Sequence, residues 1–100
     1  MTYIFSPKTP SESVLLTFDF SNLLSDINEI LVYDSWSIST LTGIDANPTS
    51  MLVFPISLAD RTTSRLVQGG ISGNSYQIIV DVTTSIGQVL QMTSILKIQS

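Results

Sequence analysis

Ser75-Tyr76-Gln77-Ile78-Ile79-Val80-Asp81-Val82-Thr83-Thr84-Ser85-Ile86-Gly87 is the stretch on which the fold turns. Tyr76, Ile78, Val80 and Val82 recur at every second position, and side chains two apart share one face of a β-strand. Ser85-Ile86-Gly87 then supplies a turn, after which Leu90, Met92, Leu96 and Ile98 line one face of a last strand. Two long strands joined by a tight turn make an antiparallel hairpin, and neighbouring segments follow the same rule. Val14, Leu16, Phe18 and Phe20 alternate in a first strand, and Ile30, Val32, Trp36 and Ile38 are expected to share one face of a second, with Asp34 the exception. Leu52, Phe54, Ile56 and Leu58 alternate too, but Pro55 lies inside the run. Proline cannot donate to a ladder, so this strand is expected at a sheet edge or broken in two. Strands are therefore predicted near 14–20, 30–39, 51–58, 62–68, 75–84 and 88–99. Residues 21–27 allow one helical turn at most, because Ile30-Leu31-Val32-Tyr33 returns to strand-forming residues.

The composition agrees. Ile, Val and Thr supply 30 of the 100 residues and Ser plus Thr supply 27, a strand-forming set with a small-polar surface. Six or seven short strands with turns between them predict an all-β, immunoglobulin-like antiparallel sandwich. The length accommodates one domain: an N-terminal arm at 1–13, broken by Pro7 and Pro10, and a sandwich at 14–100. Trp36, the single tryptophan, reads as a core anchor, with an interface residue as the alternative.

The connection Gln68-Gly69-Gly70-Ile71-Ser72-Gly73-Asn74-Ser75-Tyr76 demands glycine geometry, because Gly69, Gly70 and Gly73 tolerate positive φ in a compact turn. Tyr76 is expected to pack its ring on the core while its hydroxyl finds a backbone partner, as tyrosine corners do in immunoglobulin-like sandwiches. The turn is no phosphate cradle, since no Lys-Ser or Lys-Thr follows the glycines and no helix begins there.

This turn, with Thr83-Thr84-Ser85-Ile86-Gly87 after it and Thr17-Phe18-Asp19-Phe20-Ser21 before it, resembles a family of small bacteriophage virion proteins of the fibre-to-tail adaptor type. The resemblance runs over roughly residues 8–99. It departs from the family pattern at Phe20, where a tryptophan is usual, and at Asp81 and Gln88, in neighbourhoods that are often basic. It implies an immunoglobulin-like fold and a virion structural role in the tail, neck or fibre-attachment region, with tail or fibre proteins as partners. It also implies a homo-oligomer in the assembled particle, made in the cytoplasm of the host bacterium. Gly69, Gly70, Gly73, Tyr76, Thr84 and Gly87 form the structural turn motif.

Charge and residue inventory narrow the chemistry. The chain has no Cys and no His, which removes disulfides, thiolate metal sites, and the commonest general base and metal ligand. A net charge of −4 with four basic residues argues against nucleic acid. No run approaches the length of a membrane span, and residues 1–20 lack the pattern of a secretory signal. A chain opening at Met1 in this way is expected to be a complete cytosolic product. Asp26 and Glu29 read as a solvated or capping pair. Asp19, Asp34 and Asp81 carry no spacing that would set two carboxyls across a sugar. Asp45, Asn47 and Asp60 could approach one another as a calcium site on loops at one end, though without the dense spacing of a calcium loop. Asp60, Arg61 and Arg65 read as surface charge that keeps an edge strand soluble. No catalytic residue, cofactor or metal is expected, and the chain reads as non-enzymatic. Tyr3-Ile4-Phe5 is a candidate arm for docking on a neighbouring subunit. A glycan- or surface-binding module is the alternative function, for which Tyr3, Tyr33 and Trp36 are the available aromatics.

Overall fold

The computed structural model describes the backbone of residues 2–5 and 7–99, and the side chains of all of these but 2–4 and 54–56. Seven strands follow in order: β1 (Thr2–Ile4), β2 (Ser13–Asp19), β3 (Leu31–Thr42), β4 (Leu52–Leu58), β5 (Thr62–Gln68), β6 (Ser75–Thr84) and β7 (Val89–Lys97). The helical content among the described residues is two 3-10 turns, Ser21–Leu23 and Pro48–Met51. The strands form two sheets, one of order β1-β7-β6-β3 and one of order β2-β5-β4. All pairings are antiparallel except β1 on β7. The chain is an all-β sandwich.

The alternation in β6 appears directly as burial. Tyr76, Ile78, Val80 and Val82 are buried, while Gln77, Ile79, Asp81 and Thr83 are half-buried on the other face. Leu16 and Phe18 answer from β2, with Phe20 just after it, and Met92 and Leu96 from β7, with Ile98 just after it, so the inner faces close on one core. Each large apolar side chain taken fully out of water contributes about 1.5–3 kcal/mol.

Two register shifts in β3 alter the expected face. One falls between Leu31 and Tyr33, the other between Thr40 and Thr42. A bulge of one residue moves the following side chains to the opposite face. Leu31 is therefore buried, Ile30 half-buried and Val32 exposed, so Ile30 and Val32 do not share the core face with Trp36 and Ile38. The face expected for Trp36 holds. Its ring is half-buried and meets Phe18 edge-on at 5.2 Å. Asp34 lies on the same face, and its carboxylate accepts hydrogen bonds from Trp36 Nε1 at 3.2 Å and from the Thr63 hydroxyl.

The Pro55 strand lies where proline chemistry demands. β4 is an edge strand of the three-stranded sheet, and its pairing with β5 shifts between Val53 and Ile56, on either side of the proline. The side chains of Phe54 and Ile56, expected to alternate with Leu52 and Leu58, lie outside the described residues. β5 is the central strand of its sheet, so Arg65 does not guard an edge. Arg65 pairs with Leu16 across the ladder, is half-buried, and donates from Nε to the Val53 carbonyl at 3.3 Å, beside the β4 irregularity. Its guanidinium thus works at the bulge.

Candidate functional site

The two ends of the sandwich and the free sheet edges are where loops, charges and exposed apolar side chains gather. At one end stands the glycine turn. Gly69, Gly70 and Gly73 have φ of 71°, 98° and 89°. Tyr76 is fully buried, and its hydroxyl accepts from the Ile71 amide at 3.1 Å while donating to Asp45 Oδ2 at 2.7 Å. The same Asp45 accepts the Asn47 amide on Oδ1 at 2.9 Å. Asn74 is buried and donates to the Ile44 carbonyl at 3.1 Å, which ties the 43–47 loop to the turn. Lys8 closes this end from the arm. It is buried, and its ammonium donates to the Thr9 carbonyl at 2.7 Å and to the Gly69 carbonyl. Burial pushes the Lys8 ammonium down, against the raising effect of Glu12 nearby. Sequence reasoning missed Lys8, for which the one local signal is a lone lysine between Pro7 and Pro10.

At the other end stands the β6–β7 hairpin. The Thr84 amide donates to the Gln88 carbonyl at 2.9 Å, the Gln88 amide donates back to Thr84 Oγ1 at 3.2 Å, and the Gly87 amide donates to the Thr84 carbonyl at 3.0 Å with Gly87 at φ 90°. Thr84 is buried. Beside it Glu29 is buried as well, so the expected Asp26–Glu29 pair is not solvated on both sides. Glu29 is the capping member. Its Oε1 accepts from the Ser25 amide at 2.6 Å and the Asp26 amide at 3.3 Å, and its Oε2 from Gln88 Nε2 at 2.9 Å. The Thr84 side chain, these backbone amides and Gln88 hold the carboxyl below the usual carboxylate range, against the cost of burial. Charge-assisted bonds of this kind are the stronger sort.

A pH dependence follows. The folded chain releases the Glu29 proton more readily than the unfolded chain, so its stabilisation is complete above the ordinary value of 4.5 and fades as pH falls through the lowered one. Urea midpoints measured from about pH 7 down to about pH 3 should fall below the ordinary carboxylate value, and Glu29→Gln should flatten that fall. The exposed carboxylates Glu12 and Asp19, also held low by hydrogen bonds to Thr9 and Ser21, keep their contribution in both proteins. Equal pH slopes for the two proteins would show that Glu29 carries none of the dependence.

The remaining candidates separate. Asp45 and Asn47 lie at the glycine end, whereas the Asp60 carbonyl takes the Leu31 amide at 2.8 Å at the hairpin end. The seven residues of β5 lie between them, at a rise of about 3.3 Å each, so the trio considered for calcium is not assembled. Among the described residues, no three acidic side chains gather in metal-binding range. Asp34 faces inward, Asp81 faces outward to Gln91 Nε2 at 2.8 Å, and Asp19 ends β2, so these three do not converge. Of the aromatics a glycan surface would use, Tyr33 is exposed, Trp36 is turned inward, and the Tyr3 side chain lies outside the described residues. Within one chain the candidate arm docks on its own sandwich. β1 lies parallel on β7, with Tyr3 opposite Ser94 and Ile4 opposite Ile95, and the Phe5 ring meets Phe18 edge-on at 5.4 Å. The side chain of Ile4, like that of Tyr3, is outside the described residues.

No cavity opens among the described residues, and what the molecule offers is a sheet face, sheet edges and two hydrogen-bonded loop ends. Fold and surface together define a small β-sandwich domain whose buried Lys8, Glu29 and Asn74 hold its own loops. Over residues 8–97 the chain matches the family described as podophage GP4 fiber-tail adaptor protein gp77, and it belongs to that family. No curated protein is significantly similar to it.

Proposed function

We propose that the chain is a non-enzymatic structural subunit of a phage or prophage virion that joins tail and fibre proteins through protein–protein contacts. The observation that carries this reading is the family match, which spans 8–97 and so takes in β2 to β7 complete. The strand orders support an immunoglobulin-like sandwich. β2-β5-β4 and β3-β6-β7 correspond to the B-E-D and C-F-G arrangements of that fold, with β1 added beside β7.

The surface fits an assembly role. On the outer face of the four-stranded sheet, the cross-strand rows Ser37–Ile79–Thr93 and Ser35–Asp81–Gln91 carry one charge, and that carboxylate is already hydrogen-bonded to Gln91. Removing small neutral groups from water costs less than removing charges, which are depleted at interface centres. Several copies around a symmetric particle would repeat such a contact, so no single one need be strong. The arm, through the outer edge of β1, and the long edge strand β3 offer backbone groups to a neighbour.

The test is quantitative mass spectrometry of virions purified from the source phage or induced prophage. Recovery of the chain at a fixed ratio to the main tail protein is the expected result. Its absence from intact, infectious particles would overturn the reading.

A further inference from the structure

Exposed apolar side chains occur at both ends of the sandwich, with Leu41, Ile44 and Ile71 at the glycine end, but acidic side chains gather at the hairpin end. Three connections meet at the hairpin end: residues 20–30 between β2 and β3, residues 59–61 between β4 and β5, and residues 85–88 between β6 and β7. Backbone bonds lock them together, from Leu31 N to Asp60 O at 2.8 Å and from Ser85 N to Ile30 O at 2.8 Å, and the Arg61 guanidinium donates to the Ile27 carbonyl. Gln88 Nε2 reaches Ser25 Oγ at 2.8 Å, and the buried Glu29 carboxylate fills the space beneath.

This rigid tip carries Ile27 at 84% exposure and Ile86 at 58%. Val89 stands in one cross-strand row with Thr83 and Tyr33, and Val32 is the residue before Tyr33. Val89, Tyr33 and Val32 are all more than half exposed, so the apolar surface continues from the tip onto the outer sheet face. A lone exposed isoleucine is ordinary, but five large apolar side chains on adjoining elements mark a contact surface. The rim is acidic. Asp19, Asp26 and Asp60 are exposed here, and Arg61 is the one basic side chain, with its guanidinium engaged on Ile27. At the glycine end Lys8 and Lys97 stand against Glu12 and Asp45, so the excess of negative charge belongs to the hairpin tip.

We propose that this tip is the docking surface for a protein partner whose own contact site has an apolar centre ringed by lysine and arginine. The inference rests on the adaptor reading, in which that partner is another virion protein. Apolar burial supplies the affinity, and the acidic rim sets orientation and encounter rate and repels acidic surfaces. The loops are held in place before contact, so little ordering entropy is lost on docking.

The test is in vitro complementation. Extracts of cells infected with phage lacking this gene are supplemented with purified protein, and infectious particles are counted. The unaltered chain is expected to restore infectivity. Ile27→Ser with Ile86→Ser, and separately Asp60→Lys, are expected to lower it at least about tenfold while leaving the circular dichroism spectrum and Tm unchanged. Ile44→Ser, an equally exposed change at the opposite end, is expected to complement fully. Full complementation by folded tip variants would overturn the docking surface alone. Failure of the unaltered chain to complement would overturn the adaptor reading.

Discussion

Phe18→Ala should destabilise the domain by about 3–5 kcal/mol, the range for truncating a buried phenylalanine. Phe18 is fully buried and stands between two other rings, Phe5 at 5.4 Å with planes 80° apart and Trp36 at 5.2 Å with planes 74° apart. Edge-to-face pairs of this kind add about 0.5–1.5 kcal/mol beyond the area they bury. The ring therefore links three elements from different parts of the sequence: the arm, β2 and β3. Truncation removes apolar contact, opens a cavity, and releases the arm from its anchor. A domain of this size has about 5–15 kcal/mol in total, so the loss is a large share of it. Urea unfolding measures the effect, and a double-mutant cycle with Phe5→Ala measures the coupling to the arm. A loss under about 1 kcal/mol would show that Phe18 is not the hub of the core. Zero coupling to Phe5 would show that the arm is held by its backbone bonds to β7 instead.

Gly70→Ala should be the most damaging substitution in the glycine turn, and the comparison with Gly73→Ala shows why. Both glycines have positive φ, 98° and 89°, so an L-residue at either one costs about 1–2 kcal/mol of backbone strain. Their surroundings differ. A Cβ at Gly70 would stand 2.8 Å from Ile98 Cγ1 and 2.9 Å from Ile98 Cδ1, with Met51 Cε at 3.1 Å, whereas a Cβ at Gly73 meets nothing within 4 Å. Ile98 and Met51 are themselves buried and have little room to retreat. Forcing a methyl into a filled core adds about 1–3 kcal/mol, so Gly70→Ala should cost about 2–5 kcal/mol in all and Gly73→Ala about 1–2 kcal/mol. Thermal melts of the two variants decide the matter, since each kcal/mol moves Tm by about 4–8 °C in a domain of this length. Equal losses would show that backbone strain alone governs the turn and that Ile98 and Met51 move aside.

Much of this architecture is written in local pattern. The alternation of Tyr76, Ile78, Val80 and Val82 marks a half-buried strand wherever it falls in a protein, because successive side chains of an extended chain point to opposite faces. Pro55 marks an edge because it has no amide to give, and Gly69, Gly70 and Gly73 mark a turn because side-chain-bearing residues resist positive φ. Tyr76 finds the Ile71 amide five residues back, a partner within reach of the same turn. The adaptor resemblance rests on the same local signals, which is why the sequence carries it.

Tertiary structure decided what depends on partners distant in the chain. Glu29 has an unremarkable local sequence, and Thr84 and Gln88, brought by the β6–β7 hairpin, help turn it into a buried, hydrogen-bonded carboxylate. Lys8 is buried because the Gly69 carbonyl, 61 residues away, accepts a hydrogen bond from its ammonium. Asp60 and Asp45 were separable only once β5 was known to run between the two ends. The faces of Ile30, Leu31 and Val32 were set by a bulge against β6, and a single inserted residue inverts the alternation. The tip that joins Ile27, Ile86 and Val89 exists because three connections meet there. Periodicity and turn chemistry are properties of a few consecutive residues, and the sequence by itself determined those. Sheet order, register and the meeting of loops arise from contacts between segments tens of residues apart, which no local pattern records.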